Sequence, residues 1–357
     1  MTQTSEQTRL DQFYADLDDY DLKPLWPIAM ELMPLEPRPR AVPWLWRWKT
    51  LRELAGRAGE LVTIERGGDR RVLSLANPGL GGLPYATPTL WGAVQYLNGG
   101  EHAGAHRHTP GAIRFVLEGE GVYTTVNGDA CDMHPGDLIL TPGWTWHDHN
   151  SSGDQPMIWF DGLDMPTVNA LDAIFFENYE GGMLQPVQSR NRSERRFPGT
   201  GLLPAGAGAR PGPGYSPLLA YRRADTDAAL DALLESSGGP MVGLEFTDPT
   251  SGRPVLPTMA CEMHRLLPGE RTPPTRRVGS SVLVAYKGAG ATVVNGTRFE
   301  WGSGDMLSVP SWAVVDHEAS EPSDLFAISD APVLRALGLY RELTLDTPQQ
   351  VTATFPG

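Results

Sequence analysis

Two stretches of the chain repeat one another, and the repetition narrows the possible folds more than any other feature. Residues 117–128 read Leu-Glu-Gly-Glu-Gly-Val-Tyr-Thr-Thr-Val-Asn-Gly and residues 285–296 read Ala-Tyr-Lys-Gly-Ala-Gly-Ala-Thr-Val-Val-Asn-Gly. Downstream, Gly-Asp-Leu-Ile-Leu-Thr-Pro-Gly-Trp-Thr-Trp-His-Asp-His (136–149) is echoed by Gly-Asp-Met-Leu-Ser-Val-Pro-Ser-Trp-Ala-Val-Val-Asp-His (304–317). Self-similarity of this kind implies a repeated structural unit. Glu118-Gly119, Asn127-Gly128 and Pro135-Gly136-Asp137 are turn signals, and Asn-Gly is the strongest hairpin dipeptide. Short strands at such regular spacing predict an all-β chain of two small antiparallel barrels with minor helices.

The first copy carries the chemistry. In a strand successive side chains point to opposite faces, so His106 and His108 project together while Arg107 points away. His147 and His149 share a face in the same manner. Two such strands side by side would offer the imidazoles of His106, His108 and His147 to one ion. Three neutral imidazoles suit Fe(II), Zn(II), Cu, Ni or Mn, and with zinc such a site would make a hydroxide for hydrolysis or hydration. Across the repeat, Thr275, Arg277 and Val315 stand where the three histidines stand, so the second barrel has no metal ligands and a structural role. His102, His134, His264 and His317 are read as structural too.

His-x-His followed by Gly136 to His147 resembles the two motifs of the cupin superfamily, with Trp144 in place of the second motif's later glycine. The glutamate expected after the second histidine is replaced by Ala112 or Ile113. That departure, with His-Arg-His-Thr, Arg-Phe-Val-Leu-Glu-Gly-Glu-Gly and Thr-Pro-Gly-Trp-Thr-Trp-His-Asp-His, resembles the gentisate 1,2-dioxygenase family, which includes salicylate and 1-hydroxy-2-naphthoate dioxygenases. The resemblance is densest from about Arg70 to Asp164, includes Leu-Lys-Pro-Leu-Trp (22–26), and fades near 200–215. It implies a bicupin of two jelly-roll-type barrels with a helical N-terminal arm, one Fe(II) per chain, O2 as co-substrate and a homotetramer. It implies opening of gentisate between the carboxyl-bearing and adjacent hydroxyl-bearing carbons to give maleylpyruvate. Salicylate or 1-hydroxy-2-naphthoate is the alternative substrate.

The same resemblance suggests the pocket. Arg114 and Arg70 would pair with the substrate carboxylate, with Arg71 competing for that role, because a planar guanidinium suits a carboxylate better than lysine does. Trp91, Ala93 and Gln95 alternate on one strand face and match the family's substrate-lining strand. His149 would donate a hydrogen bond to substrate, and Asp161 would sit close by, bonded to His149 or to a ring substituent.

The rest sets bounds. A formal charge of −14 argues against nucleic acid or anionic membrane as partner and leaves an anionic substrate dependent on local positive charge. Cys131 and Cys261 imply no disulfide framework. No signal peptide or bilayer-spanning run is legible, which fits the cytoplasm. Four segments follow: an arm at 1–85 packing on the barrels, the metal-binding cupin at 86–170, a linker with a short helix at 171–255, and the ligand-free cupin at 256–357. Residues 5–35 read as amphipathic helix broken at Pro24 and Pro27, and 223–236 as a short helix with an acidic first turn. Gly199–Gly214 reads as an exposed loop, and Trp44, Trp46 and Trp48 as a strand burying indoles against the first barrel or a neighbouring subunit. Two other classes compete: a non-catalytic storage or ligand-binding bicupin, and a zinc cupin of the sugar-phosphate isomerase kind, which would need a carboxylate ligand and phosphate-binding lysines.

Overall fold

The computed structural model describes residues 3–67, 71–199, 203–204, 214–269 and 271–357, in two compact units, 1–38 and 39–357. The smaller unit holds the helix Gln3–Asp19 and the short helix Ala29–Leu32. Between them Trp26 stacks on Phe13 at 6.3 Å and donates its indole N–H to Tyr14 at 3.1 Å. Chain reversal at Asp21, with φ +54°, ends the first helix before Pro24 is reached. No described helix is long and apolar enough to cross a membrane.

The larger unit is built from four six-stranded sheets that face one another in pairs. Among the described residues neither pair closes into a barrel, which corrects that part of the sequence reading. The physical reason lies at the sheet edges. In the first pair each edge is occupied by a short added strand: Val72–Ser74 and Ala220–Tyr221 on one sheet, Phe176–Asn178 and Ser189–Arg190 on the other. Each added strand extends its own sheet, so the edge strands of facing sheets are not paired with one another. The second pair recruits Trp44–Trp46, Met241–Phe246, Glu342–Thr344 and Ala353–Thr354 for the same purpose. Asn127-Gly128 and Asn295-Gly296 turn the equivalent hairpins with φ positive at both residues, the type I′ geometry that matches strand twist.

The two sandwiches dock back to back. On the strand Ala112–Glu118, Ile113 and Phe115 face the second sandwich, whereas Val116 faces the interior of the first. Phe115 stacks on Phe326 at 4.1 Å, within a core that also takes Phe160, Val282, Val284 and Ile328. Each of these side chains, fully buried, contributes about 1.5–3 kcal/mol. Two reciprocal polar clasps flank the core. Thr89 donates to Asp330 at 2.5 Å, and Thr258 donates to Asp164. The second oxygen of each carboxylate accepts a backbone N–H, from Ser280 at 2.9 Å and Gly111 at 2.8 Å.

The tryptophan run departs from expectation. Only Trp44–Trp46 is strand, and it pairs with Met306–Ser308 of the second sandwich. Trp48 opens a fourteen-residue helix, Trp48–Leu61, that buries Leu51 and Ala55. Asp305, remote in sequence, accepts the Trp48 N–H at 2.7 Å and starts that helix. The helix Arg223–Ser237, with Asp225 in its first turn, forms where expected. Both cysteines are free and buried. Most of the Gly199–Gly214 loop lies outside the described residues.

Candidate metal centre and active site

The strands His102–His108 and His147–Ser151 run antiparallel with His106 opposite His147. Alternation puts His108 on the same face, and the three ligand nitrogens lie within 4.8 Å of one another. Each ring is oriented by a backbone carbonyl two residues away. His106 Nδ1 meets Gly104 O at 2.8 Å, His108 Nδ1 meets Pro110 O at 2.7 Å, and His147 Nδ1 meets Thr145 O at 2.9 Å. A carbonyl can only accept, so each Nδ1 carries the proton and each Nε2 presents a lone pair. This is the outer arrangement by which ligating histidines are usually held. His147 Nε2 is buried with no hydrogen-bond partner, an orphan that a cation would satisfy. Burial, with His106, Arg114 and His108 nearby, holds the His147 imidazole well below its usual basicity, so it stays neutral. The donor set fits a divalent metal.

Arg107 fixes the strand from behind. Its guanidinium lies over the rings of Trp144 and Trp146, at 4.4 and 4.5 Å, and bonds Glu177 at 2.9 and 2.7 Å. Trp144, where the related motif has glycine, keeps the left-handed backbone that glycine would adopt, at φ +62°. For a residue with a Cβ that conformation costs about 1–2 kcal/mol. The cation–π contact and the Trp144 N–H donated to His108 O at 2.7 Å offset it. Trp312 repeats the arrangement with Arg276, at φ +64° and 4.3 Å.

A second row of residues lies on the facing sheet. Ala93, Asp161 and Arg114 are direct neighbours across three strands, as are Gln95, Trp159 and Val116. Arg114 is buried, donates from Nε to His149 Nε2 at 3.1 Å, bonds Thr141, and stands 3.6 Å from Asp161. His149 Nδ1 meets Thr124 Oγ1 at 2.8 Å, and the threonine hydroxyl donates to Met133 Sδ at 3.1 Å. His149 is therefore a neutral ring with both nitrogens engaged, and burial beside Arg114 keeps its basicity well below normal. It orients Arg114 here, where the sequence suggested a donor to substrate. Asp161 bonds Trp159 Nε1 at 3.0 Å and faces Arg114, with no contact to His149. Burial pushes its carboxyl up to about 6, against the pull of Arg114 and Trp159. Burial likewise lowers the Arg114 pKa, with Asp161 opposing.

The remaining pocket candidates divide. Gln95 and Ala93 are buried on the inward face, and Trp91, partly buried, donates to Ser74 at 3.1 Å. Arg71 is turned to Glu101 and the Gly59 carbonyl. Arg70 lies outside the described residues. Sequence reasoning missed Thr124, Thr141, Trp159 and the Arg107 clamp. Thr124 and Trp159 had the right strand parity, yet only the sheet-to-sheet pairing shows what they face. In the second sandwich Thr275 pairs with Val315 as His106 pairs with His147, and among the described residues no other metal-ligand cluster occurs.

Fold and site together define a cupin-type metalloprotein, and residues 93–163 match the cupin domain family. The chain is 50% identical over 350 residues to a gentisate 1,2-dioxygenase of a Streptomyces species, covering 95% of this chain and 97% of that one. A 5-aminosalicylate 1,2-dioxygenase of a Comamonas species is 38% identical, with 98% and 95% covered. The solved salicylate 1,2-dioxygenase of Pseudoaminobacter salicylatoxidans, in its adduct with gentisate, superposes with a TM-score of 0.90 at 42% identity, covering 95% and 94%. The chain belongs to the gentisate 1,2-dioxygenase family of bicupin oxidoreductases, and its three histidines form a metal-binding group.

Proposed function

We propose that this protein is an Fe(II)-dependent dioxygenase that opens gentisate between its carboxyl-bearing and adjacent hydroxyl-bearing carbons, placing both atoms of O2 in maleylpyruvate. The observation that carries this reading is the pairing of a three-imidazole group with a buried guanidinium on the facing sheet. Iron held by three neutral ligands keeps its full positive charge and supplies a redox-active Lewis acid where a hydroxy-carboxylate and O2 can meet. In this reading Arg114 binds the substrate carboxylate with a charge-assisted hydrogen bond. His149 and Thr141 hold the guanidinium in one orientation, and Asp161 offsets its buried charge. Ala93 and Gln95 shape the room for the ring from the neighbouring strand.

Salicylate is the second reading, favoured by the likeness to the salicylate 1,2-dioxygenase. Gentisate has a second hydroxyl para to the first, which makes its ring the easier one to oxidise. The test is anaerobic loading with Fe(II), then oxygen uptake with gentisate, salicylate and 1-hydroxy-2-naphthoate side by side. Fastest uptake with gentisate supports the assignment, and equal or faster uptake with salicylate moves it to the second reading. A homotetramer belongs to the same proposal, and light scattering in solution tests it.

A further inference from the structure

The polar row of the first sandwich is rewritten in the second, and it lines a cavity. Glu262 takes the place of Ala93, because it pairs with Ala327 as Ala93 pairs with Asp161. His264 takes the place of Gln95, Leu283 that of Arg114, and Arg277 that of His108. His317 retains the His149 arrangement, with Nδ1 at 2.9 Å from Thr292 Oγ1. The resulting cavity has a volume of about 400 Å³. That falls within the range of small-molecule sites, about 300–1,000 Å³.

Apolar and charged residues share its lining. Leu283, Leu325 and Ala327 lie on one sheet beside Glu262 and His264, and Val315 and Arg277 come from the facing sheet. Glu262 accepts from His264 Nε2 at 2.9 Å. Burial works to raise its pKa, but His264 and Arg277 outweigh that and bring the carboxyl to about 2. Glu262 is thus ionised and already engaged. Arg277 is less well served: its closest acid, Glu262, stands 4.0 Å away, and its guanidinium makes no hydrogen bond among the described residues. A second guanidinium, Arg335, also lines the cavity and lies over the Tyr340 ring at 4.6 Å. The His264 ring has its seat only because residue 243 is glycine, since a Cβ there would lie 2.6 Å from His264 Nδ1. That nitrogen is itself buried without a partner.

We propose that the second sandwich is a binding site for a small single-ring carboxylate, its carboxylate taken by Arg277 and its ring by Leu283, Val315 and Leu325. A guanidinium with unused donors at an apolar cavity matches an anion with an apolar body. Among the described residues the cavity has no metal-ligand cluster, so the ring opening proposed for the first sandwich is not expected there.

The probe is 4-bromobenzoate, used with the full-length, Fe(II)-loaded protein. Anomalous scattering from co-crystals should place bromine between the two sheets of the second sandwich. Calorimetry should find this site in the wild-type protein, with its dissociation constant raised at least tenfold in Arg277→Met. Val315→Trp, which fills the cavity and keeps Arg277, should lose the same site and serves if Arg277→Met fails to fold. Bromine confined to the first sandwich at saturating probe overturns the proposal, as does an unchanged binding stoichiometry and affinity in a folded Arg277→Met or Val315→Trp variant. Neither outcome bears on gentisate turnover, so this site and the catalytic reading fail independently.

Discussion

Arg114→Met should separate two consequences of one buried guanidinium. Removing it strips Asp161 of the cation 3.6 Å away, in a place where neither group reaches water. Breaking a buried ion pair by deleting one partner typically costs about 3–5 kcal/mol, because the other charge is left uncompensated. It also removes the donor proposed to take the substrate carboxylate, worth about 1.5–3 kcal/mol. At 1.4 kcal/mol per decade that is roughly a tenfold to hundredfold loss of gentisate affinity. Adding Asp161→Asn to Arg114→Met removes the stranded charge, so the double variant should regain much of the lost stability and none of the lost affinity. Urea unfolding gives the first quantity, and anaerobic titration of Fe(II)-loaded protein with gentisate gives the second. Wild-type affinity in a folded Arg114→Met variant would refute the role given to this residue. Affinity restored by Asp161→Asn would mean that the loss came from disordered packing and not from a missing carboxylate contact.

His108→Ala should abolish iron retention and turnover together, with wild-type protein holding one iron per chain and the variant none by elemental analysis; stoichiometric iron in the variant would contradict the three-histidine assignment. Ala93→Gly opens a methyl-sized space beside Asp161, and the ratio of salicylate to gentisate turnover should rise, measured by oxygen uptake on both substrates. Asp161 should leave a pH signature in stability. Its folded pKa, about 6, lies above the value of a free aspartate, near 3.9. The folded state therefore binds the proton more tightly, and this group's stabilising contribution is fully present below about pH 4 and is lost as pH rises through 6. Asp161→Asn should flatten that part of the stability profile, and an unchanged slope between pH 4 and 6 would exclude the shift.

The metal centre was legible because its geometry is local. Strand alternation puts His106 and His108 on one side, and the repeat supplies the second strand. The positional equivalence of Thr275 and Val315 to His106 and His147 was legible for the same reason. What stayed hidden depends on pairing between distant segments. Trp48 continues an alternating Trp-Leu-Trp-Arg-Trp pattern that reads as strand, but Asp305 turns the chain into a helix there. The helix itself carried a signal in Leu51 and Ala55 at helical spacing, outweighed by the preceding tryptophans. His149 showed the right face, yet its partner Arg114 lies on the other sheet, so its direction of hydrogen bonding could not be read from parity. That His264 and Glu262 share a face follows from parity on Ala260–Leu266, but the cavity they line appears only once the two sheets are assembled.

The back-to-back docking gives alternate residues of single strands unrelated duties. On Ala112–Glu118, Phe115 holds the halves together while Arg114 faces the interior of the first sandwich toward His149, and on Met157–Leu163 Phe160 and Asp161 divide in the same way. A descendant of this chain can therefore change what either interior accepts by substituting every second residue, without loosening the joint between the halves. The halves also share one chain, so dilution cannot separate them, and the copy with no metal-ligand cluster among its described residues remains held against its sibling at fixed stoichiometry. Duplication followed by such fusion lets one interior drift toward a new ligand while the other keeps its reaction.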